Sequence, residues 1–451
     1  MNDQTTDSTT VVVLGGIQTK STGFIPPLAR IATLPAVLRI VLSAKDLKVN
    51  RTILCVDSIS APHTEKELRQ TRRLPDSLEW YESAERPDLV NLLRQLGVCG
   101  NVIFVLGDRA YQPALLRKAT EWNKLNGALA FCSGSALIGI YLLSRSTALE
   151  LAEDCDHEVR TLEELHQWMQ SKSCVEVEEV EDQAWQKISC PADLLNTEKK
   201  LDKWLVKPTD GNFARMNRRV SIPISRWLLK CPVTPNMVTL FTLGVSFAGG
   251  LAFAHGGYWA MLLGAVLSVW ASILDGCDGE VARLKLQVSD FGCWLETVCD
   301  YLYYVFVFGG MIIGFSRTTG PRFALFWGPL LFFGAIASFL GVGFARHHFS
   351  AERPEAFLSV WQKKADNRRS NPLLYVGRQC EFLIRRCFLP YAFLAFALFN
   401  ILPVAFVLSA IGANIVWPIA LYSCFALSRR RGLQCSGSPV TSSPNRGPVI
   451  A

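Results

Sequence analysis

Asp275-Gly276-Cys277-Asp278-Gly279-Glu280-Val281-Ala282-Arg283, then eight residues, Gly292, three residues, Glu296, three residues and Asp300: this stretch decides the fold. It lies at the seam between two apolar runs, Trp259 to Leu274 and Gly292 to Phe315. Acidic groups are costly in a bilayer and mark functional sites. Asp275 and Asp278 stand i, i+3 and share one helix face, while Gly292, Glu296 and Asp300 step by four along one face of the next helix. Two helices joined by a short loop are most simply antiparallel neighbours, which predicts four carboxylates gathered near the membrane surface. Such a group is tolerable only with cations between its members, and its oxygen donors suit Mg²⁺ or Mn²⁺. Carboxylates that merely snorkelled at helix ends would have no need of this spacing.

Working outward, six apolar segments are expected to cross a membrane: roughly Met237 to Ala254, Trp259 to Leu274, Gly292 to Phe315, Phe323 to Phe344, Phe388 to Phe399 and Val404 to Leu427. The boundary between the last two falls around Asn400 to Pro403. Arg317 and Arg322 alone supply positive charge between the third and fourth segments, whereas the next loop holds Arg346, Arg353, Lys363, Lys364, Arg368, Arg369, Arg378, Arg385 and Arg386, and Arg429 to Arg431 follow the sixth. The positive-inside rule then puts both termini and the carboxylate end in the cytoplasm of a multi-pass cell-membrane protein. Before the first span, Lys203, Lys207, Arg215, Arg218, Arg219, Arg226 and Lys230 interleave with Trp204, Leu205, Phe213, Ile222, Ile224 and Trp227, the pattern of an amphipathic helix on the membrane surface over 202–236. His347 and His348 read as interfacial loop residues, since no acidic partner lies at helical spacing.

The first half has a different texture. Charged residues are dense before about residue 235, and short β-branched runs at Val11 to Leu14, Ile53 to Val56 and Val102 to Leu106 alternate with helical patterns near Pro35 to Ala44 and Pro113 to Trp122. That alternation predicts a soluble α/β domain over 1–201 with a largely parallel sheet, ahead of an all-α membrane domain over 237–431. Met1 to Thr10 has neither the basic nor the apolar part of a secretory signal, so the α/β domain is expected in the cytoplasm. Glu176 to Asp182 reads as a solvated edge or loop, and the Ser/Pro/Gly-rich 432–451 as a disordered tail. The 14 cysteines show no Cys-x-x-Cys pair and no zinc spacing, and are read as reduced and mostly buried. The net charge of +7 gathers beside hydrophobic spans, which points to membrane lipid and away from nucleic acid.

The carboxylate stretch resembles the signature of the CDP-alcohol phosphotransferases, D-x-x-D-G-x-x-A-R-x8-G-x3-D-x3-D, with Glu296 at the third aspartate as the one departure. Pro235-Asn236-Met237-Val238-Thr239 resembles the family's P-N-x-x-T lead-in to the first span. The resemblance implies metal ligation by Asp275, Asp278 and Glu296, and a role for Asp300 as a further ligand or as the base that deprotonates an acceptor hydroxyl. It implies a nucleotide site involving Pro235, Asn236, Thr239, Gly279, Ala282, Arg283 and Gly292, where small residues allow close approach. Two ions, Mg²⁺ or Mn²⁺, would clamp a donor's pyrophosphate. The partners implied are a CDP-linked donor, CDP-diacylglycerol or a CDP-polyol, and an alcohol acceptor; a homodimer is compatible with it. The extra methylene of Glu296 displaces its carboxylate by about one C–C bond, large beside the tolerance of metal sites.

Lys207-Pro208-Thr209-Asp210-Gly211, Arg215, Asn217-Arg218 and Ser221 resemble the junction of bifunctional inositol-phosphate cytidylyltransferase/di-inositol-phosphate-phosphate synthases. The N-terminal half resembles a sugar-phosphate nucleotidyltransferase whose chemistry has thinned. Val11 to Gly16 resembles its first strand and Gly-rich loop, Phe104 to Asp108 the strand ending in a metal-binding Asp, and Trp185 to Asp193 its late acidic segment. Lys20 stands near the loop's arginine, Pro26-Pro27-Leu28 where Lys-Pro-Leu is expected, and Lys187 and Ser189 where aspartates are expected. The leading expectation is an enzyme releasing CMP. A weakened member whose soluble domain binds a nucleotide or partner is the second, and a transporter, disfavoured by the lack of internal repeats, the third.

Overall fold

The computed structural model describes residues 8–15, 24–349 except 48, 59–60, 71–72, 76, 84–86, 98–99, 123–125, 156, 173 and 208–209, then 387–415 and 417–418. Gly16, Lys20, most of the basic loop from Arg353 to Arg386, the end of the sixth expected span, Arg429 to Arg431 and the tail lie outside the described residues, as do the side chains of His347 and His348. The chain divides into two compact units: residues 1–210 with 219–235 and 277–290, and residues 211–218 with 236–276 and 291–451.

The first unit is α/β. Its strands are β1 (Thr9–Leu14), β2 (Arg30–Ile31), β3 (Leu34–Pro35), β4 (Arg51–Asp57), β5 (Leu78–Ser83), β6 (Asn101–Leu106), β7 (Arg109–Tyr111), β8 (Ala128–Ser133), β9 (Ala136–Leu143), β10 (Val175–Glu179) and β11 (Trp185–Lys187). Seven form one sheet in the order β10-β8-β9-β6-β1-β4-β5. β1 runs parallel to both β4 and β6, with Val12 opposite Ile53 and Phe104, and β9 is the antiparallel strand joining β6 to β8. Val11, Val12 and Val13 are buried on both faces, which is why these strands read as unbroken apolar runs. The faces are covered by α1 (Ala36–Asp46), α2 (Ala61–Gln70), α3 (Leu89–Leu96), α4 (Pro113–Glu121), α5 (Arg145–Asp154) and α6 (Leu162–Ser171), giving one core on each side of the sheet. The acidic Glu176 to Asp182 is the edge strand β10 and the turn after it; Glu176, Glu179, Glu181 and Asp182 are exposed, as expected of a charged edge.

The run expected as a single amphipathic helix is divided. α7 (Pro191–Leu205) stops before Pro208 and α8 (Asn212–Leu229) begins after Gly211; residues ahead of a proline leave the helical region, which breaks the run there. Met216, Val220 and Trp227 are exposed on α8.

The second unit is helical: α9 (Pro235–His255), α10 (Tyr258–Leu284), α11 (Asp290–Thr318), α12 (Pro321–Phe349), α13 (Leu389–Leu398) and α14 (Leu402–Ile415), with the start of α8; α8 and α10 each have their second part in the first unit. Within the described residues, α9, α10, α11 and Pro321–Ser338 are long and apolar enough to cross a membrane, while α13 and α14 are shorter apolar helices. α9 and α11 meet through glycines: a Cβ on Gly250 would stand 2.6 Å from the Phe306 carbonyl oxygen, and Gly310 and Gly314 face the backbone of Gly250 and Phe253. Close backbone approach replaces the hydrophobic drive that lipid cannot supply. Leu240, Phe241, Phe247 and Leu251 are exposed on α9, an outward apolar surface fit for lipid. Asn400, at a left-handed φ of 55°, makes the turn between α13 and α14. Of the ten described cysteines, all free, five are buried and three exposed.

Candidate active site

α10 continues ten residues past its apolar run, so the whole Asp275–Leu284 stretch is helical. Asp278 is buried, with Oδ1 accepting from the Gly279 amide at 2.6 Å, and Asp275 is half-buried. On α11, Glu296 is exposed and Asp300 half-buried.

A hydroxyl pair links the two helices: Ser268 Oγ and Tyr303 OH are hydrogen-bonded in the interior. Asp275 is seven residues beyond Ser268 on α10, and Glu296 seven residues before Tyr303 on α11. Since the chain passes directly from one helix to the next and returns, Asp275 and Glu296 both lie on the side of that bond toward the connection, with Asp300 one turn from Glu296. Side chains from α8 and α13 bear on the same turns: Asn217 Nδ2 donates to Ser272 O and Oγ, Tyr391 OH donates to Asn217 Oδ1 at 2.6 Å, and Arg218 donates to Gly276 O.

Among the described residues, no three His, Cys, Asp or Glu side chains are gathered into a metal-holding group. The donor set nonetheless suits a hard divalent cation, because it is carboxylate throughout and its members stand on the connected ends of two bonded helices. Gly279 and Arg283 share a face; the Arg283 guanidinium folds back so that Nη1 is 3.4 Å from where a Gly279 Cβ would stand. Pro235 opens α9 and Thr239 is buried one turn on. Lys285 Nζ, just past Arg283, donates to the Val233 carbonyl at 2.6 Å and reaches that of Cys231 at 3.4 Å, which brings the end of the motif beside the residues that lead into Pro235.

Sequence reasoning missed Glu280. It is fully buried, and its two oxygens accept 2.6 Å hydrogen bonds from Ser221 and Ser225 on α8. The signal was available: a glutamate beside the paired aspartates, and two serines at i, i+4 in an otherwise basic and aromatic helix.

The α/β unit has a cavity of its own, about 260 Å³, lined by Leu14, Gly15, Leu106, Asp108, Arg109, Arg160, Glu163 and Lys187 among others. It opens at the carboxyl ends of β1 and β6, the topological switch point where open α/β sheets bind ligands. Gly15 is required there, since a Cβ would stand 2.7 Å from the Cys55 carbonyl oxygen. Asp108 lies 3.4 Å from Arg109 Nε, and Arg109 donates to Leu137 O and stacks on Trp185. Asp193 caps α7: its carboxylate accepts from the Ser189 and Cys190 amides, and the Ser189 bond above all holds it below the usual carboxylate range.

Residues 232–364 match the CDP-alcohol phosphatidyltransferase family. The chain is 30% identical over 239 residues to the bifunctional IPC transferase and DIPP synthase of Aquifex aeolicus, covering 46% of this chain and 54% of that protein. It is 35% identical over 95 residues to the phosphatidylinositol phosphate synthase of Mycobacterium marinum, covering 21% and 39%. Among solved structures, the inositol-1-phosphate CTP transferase from T. maritima aligns with 44% of this chain and 96% of its own at 15% identity, with a TM-score of 0.34. The chain spans about half the length of the curated bifunctional relatives it matches. The helices that carry Asp275, Asp278, Glu296 and Asp300 lie within the residues that match the CDP-alcohol phosphatidyltransferase family.

Proposed function

We propose that the protein is a membrane CDP-alcohol phosphotransferase, moving a phosphate-linked group from a CDP-activated donor to an alcohol in inositol-phosphate or phospholipid synthesis. The observation that carries this reading is the placement of Asp275, Glu296 and Asp300 on the connected ends of two helices that are tied by the Ser268–Tyr303 bond and lie within the family match. Asp275, Asp278 and Glu296 would hold one or two divalent cations, Mg²⁺ or Mn²⁺, which supply charge neutralisation for a pyrophosphate. Pro235, Asn236, Thr239, Gly279, Ala282, Arg283 and Gly292 take the cytidine nucleotide, with Arg283 as the fixed cation toward its phosphates. Asp300 accepts the proton of the acceptor hydroxyl or completes the ligand set. The hydroxyl oxygen bonds to the phosphorus that carries the donor's alcohol, the pyrophosphate P–O bond breaks, and CMP departs. The division into a soluble α/β part over 1–201, a surface segment over 202–236 and a six-span part over 237–431, with both termini cytoplasmic, belongs to this reading.

The test is purified full-length protein with Mg²⁺, labelled CDP-diacylglycerol or CDP-inositol, and a panel of alcohols. Asp275→Ala, Asp278→Ala and Asp300→Asn should each lose about a hundredfold or more of CMP release, the scale of a metal or acid–base contribution. Wild-type rates in these variants would sink the assignment. A weakened member with a ligand-binding α/β unit is the second reading, favoured by Glu296 and by the cationic cavity; ligand binding without CMP release would select it.

A further inference from the structure

The far end of α10 belongs to the same compact unit as the α/β sheet, and side chains of that unit meet the carbonyls of Leu284, Lys285 and Leu286. The helix closes in a two-bond turn: Gln287 N donates to Ala282 O at 2.7 Å and Leu286 N to Arg283 O at 3.3 Å. The residue in the left-handed position is Leu286, at φ +50°, where glycine is the usual choice and a side chain is strained. Its side chain packs against the core of the α/β sheet, the core of Val13, Val37 and Leu54. Two arginines from the same unit meet the orphan carbonyls. Arg39, on α1, donates to Leu284 O at 2.8 Å; Arg73, ahead of β5, donates to Lys285 O at 2.7 Å and to Leu286 O. Val281 and Leu284 complete an apolar cluster with Ile31, Leu201, Leu205 and Leu229. Burial draws the Arg39 pKa down to about 10, Glu198 opposing and Arg226 adding to the shift, so the group stays cationic at neutral pH, as the negative end of a helix favours.

The geometry points to Arg39 and Arg73 as positioning residues for the phosphotransferase motif: the α/β unit is a clamp that sets the rotation and depth of the helix bearing Asp278, Gly279 and Arg283. This deepens the proposed function and rests on it. A helix end held by two guanidiniums, an apolar cluster and a strained leucine cannot rotate freely, and Asp278 is only six residues from Leu284 along a continuous helix. Small errors in ligand placement are costly in rate.

The experiment uses the full-length protein and two readouts. Hydrogen–deuterium exchange at amides 282–290 should quicken about tenfold or more in Arg73→Ala, the consequence of losing two charge-assisted bonds at a helix end. Arg73→Lys, which keeps the charge but not the planar fork of the guanidinium, should fall between it and wild type. In CMP release, Arg73→Ala should raise the Mg²⁺ needed for half-maximal rate severalfold and lower turnover. Arg39→Lys should shift both readouts the same way; this variant keeps the charge in case Arg39→Ala fails to fold. Unchanged exchange in Arg73→Ala would overturn the clamp. So would a rate that falls only in proportion to lost folded protein, with the Mg²⁺ requirement unmoved. Should wild type release no CMP from any donor, the functional reading fails, and the exchange result alone decides for or against the clamp.

Discussion

Glu296 is one methylene longer than the aspartate of the signature this stretch resembles, and it is exposed where Asp275 is half-buried. An exposed carboxylate on a longer stem can swing to reach a cation that a shorter one must meet in place, at a cost in fixed rotamers. If it is a ligand, Glu296→Ala should raise the Mg²⁺ requirement about tenfold or more, because ligand and supporting-shell losses in metal sites run at 10–100-fold. Glu296→Asp should preserve or improve turnover by restoring the shorter reach. The measurement is a Mg²⁺ titration of CMP release. Equal titrations for wild type and the alanine variant would put Glu296 outside the ligand set.

At the scale of the element, α8 is joined to α10 by the buried Glu280 between Ser221 and Ser225. Glutamine retains one oxygen to accept and offers an amide to a hydroxyl that can rotate, so Glu280→Gln should cost under about 1.5 kcal/mol, the worth of one ordinary hydrogen bond. Alanine leaves two hydroxyls facing an apolar void, and Glu280→Ala should cost about 2–5 kcal/mol from orphaned donors and the cavity. Thermal denaturation of the detergent-solubilised protein reads the difference; equal losses would show that the serines do not depend on that carboxylate.

Much at this scale was legible. Val11 to Leu14, Ile53 to Val56 and Val102 to Leu106 are strands because β-branched runs buried on both faces have few alternatives, and the spacing of the motif put Asp275 and Asp278 on one helix. The division of the surface segment at Pro208 was less visible, since basic and apolar residues keep their alternation across the break. The grip on α10 could not be read at all: Arg39 is 245 positions from Leu284, and periodicity carries no information over that distance. Its one trace is a guanidinium inside the apolar run of α1, where seven of eleven residues are buried.

For the molecule as a whole, the α/β unit has a largely parallel sheet with a cavity at its switch point, and the groups around that cavity do not suit nucleotidyl transfer. That reaction needs a cation held by carboxylates to bridge the triphosphate and stabilise the leaving pyrophosphate. Asp108 lies against Arg109, Asp193 is committed to the start of α7, and Lys187 lines the cavity where a second carboxylate is expected. Pro26, buried in a short helical turn, offers no ammonium in place of a lysine. With Arg109, Arg160 and Lys187 against Asp108 and Glu163, the cavity is cationic before any metal arrives, so Coulomb repulsion opposes the ion that the reaction requires. The fold does not depend on those groups, because its cores are apolar. The expected outcome is that full-length protein given CTP, Mg²⁺ and inositol phosphate or related sugar phosphates releases no pyrophosphate above background. The phosphotransferase reaction cannot mask the result, since its leaving group is CMP. Pyrophosphate release that depends on the sugar phosphate and is abolished by Asp108→Ala would overturn this prediction and make the protein a bifunctional enzyme, with Asp108 still holding a metal despite its arginine neighbour.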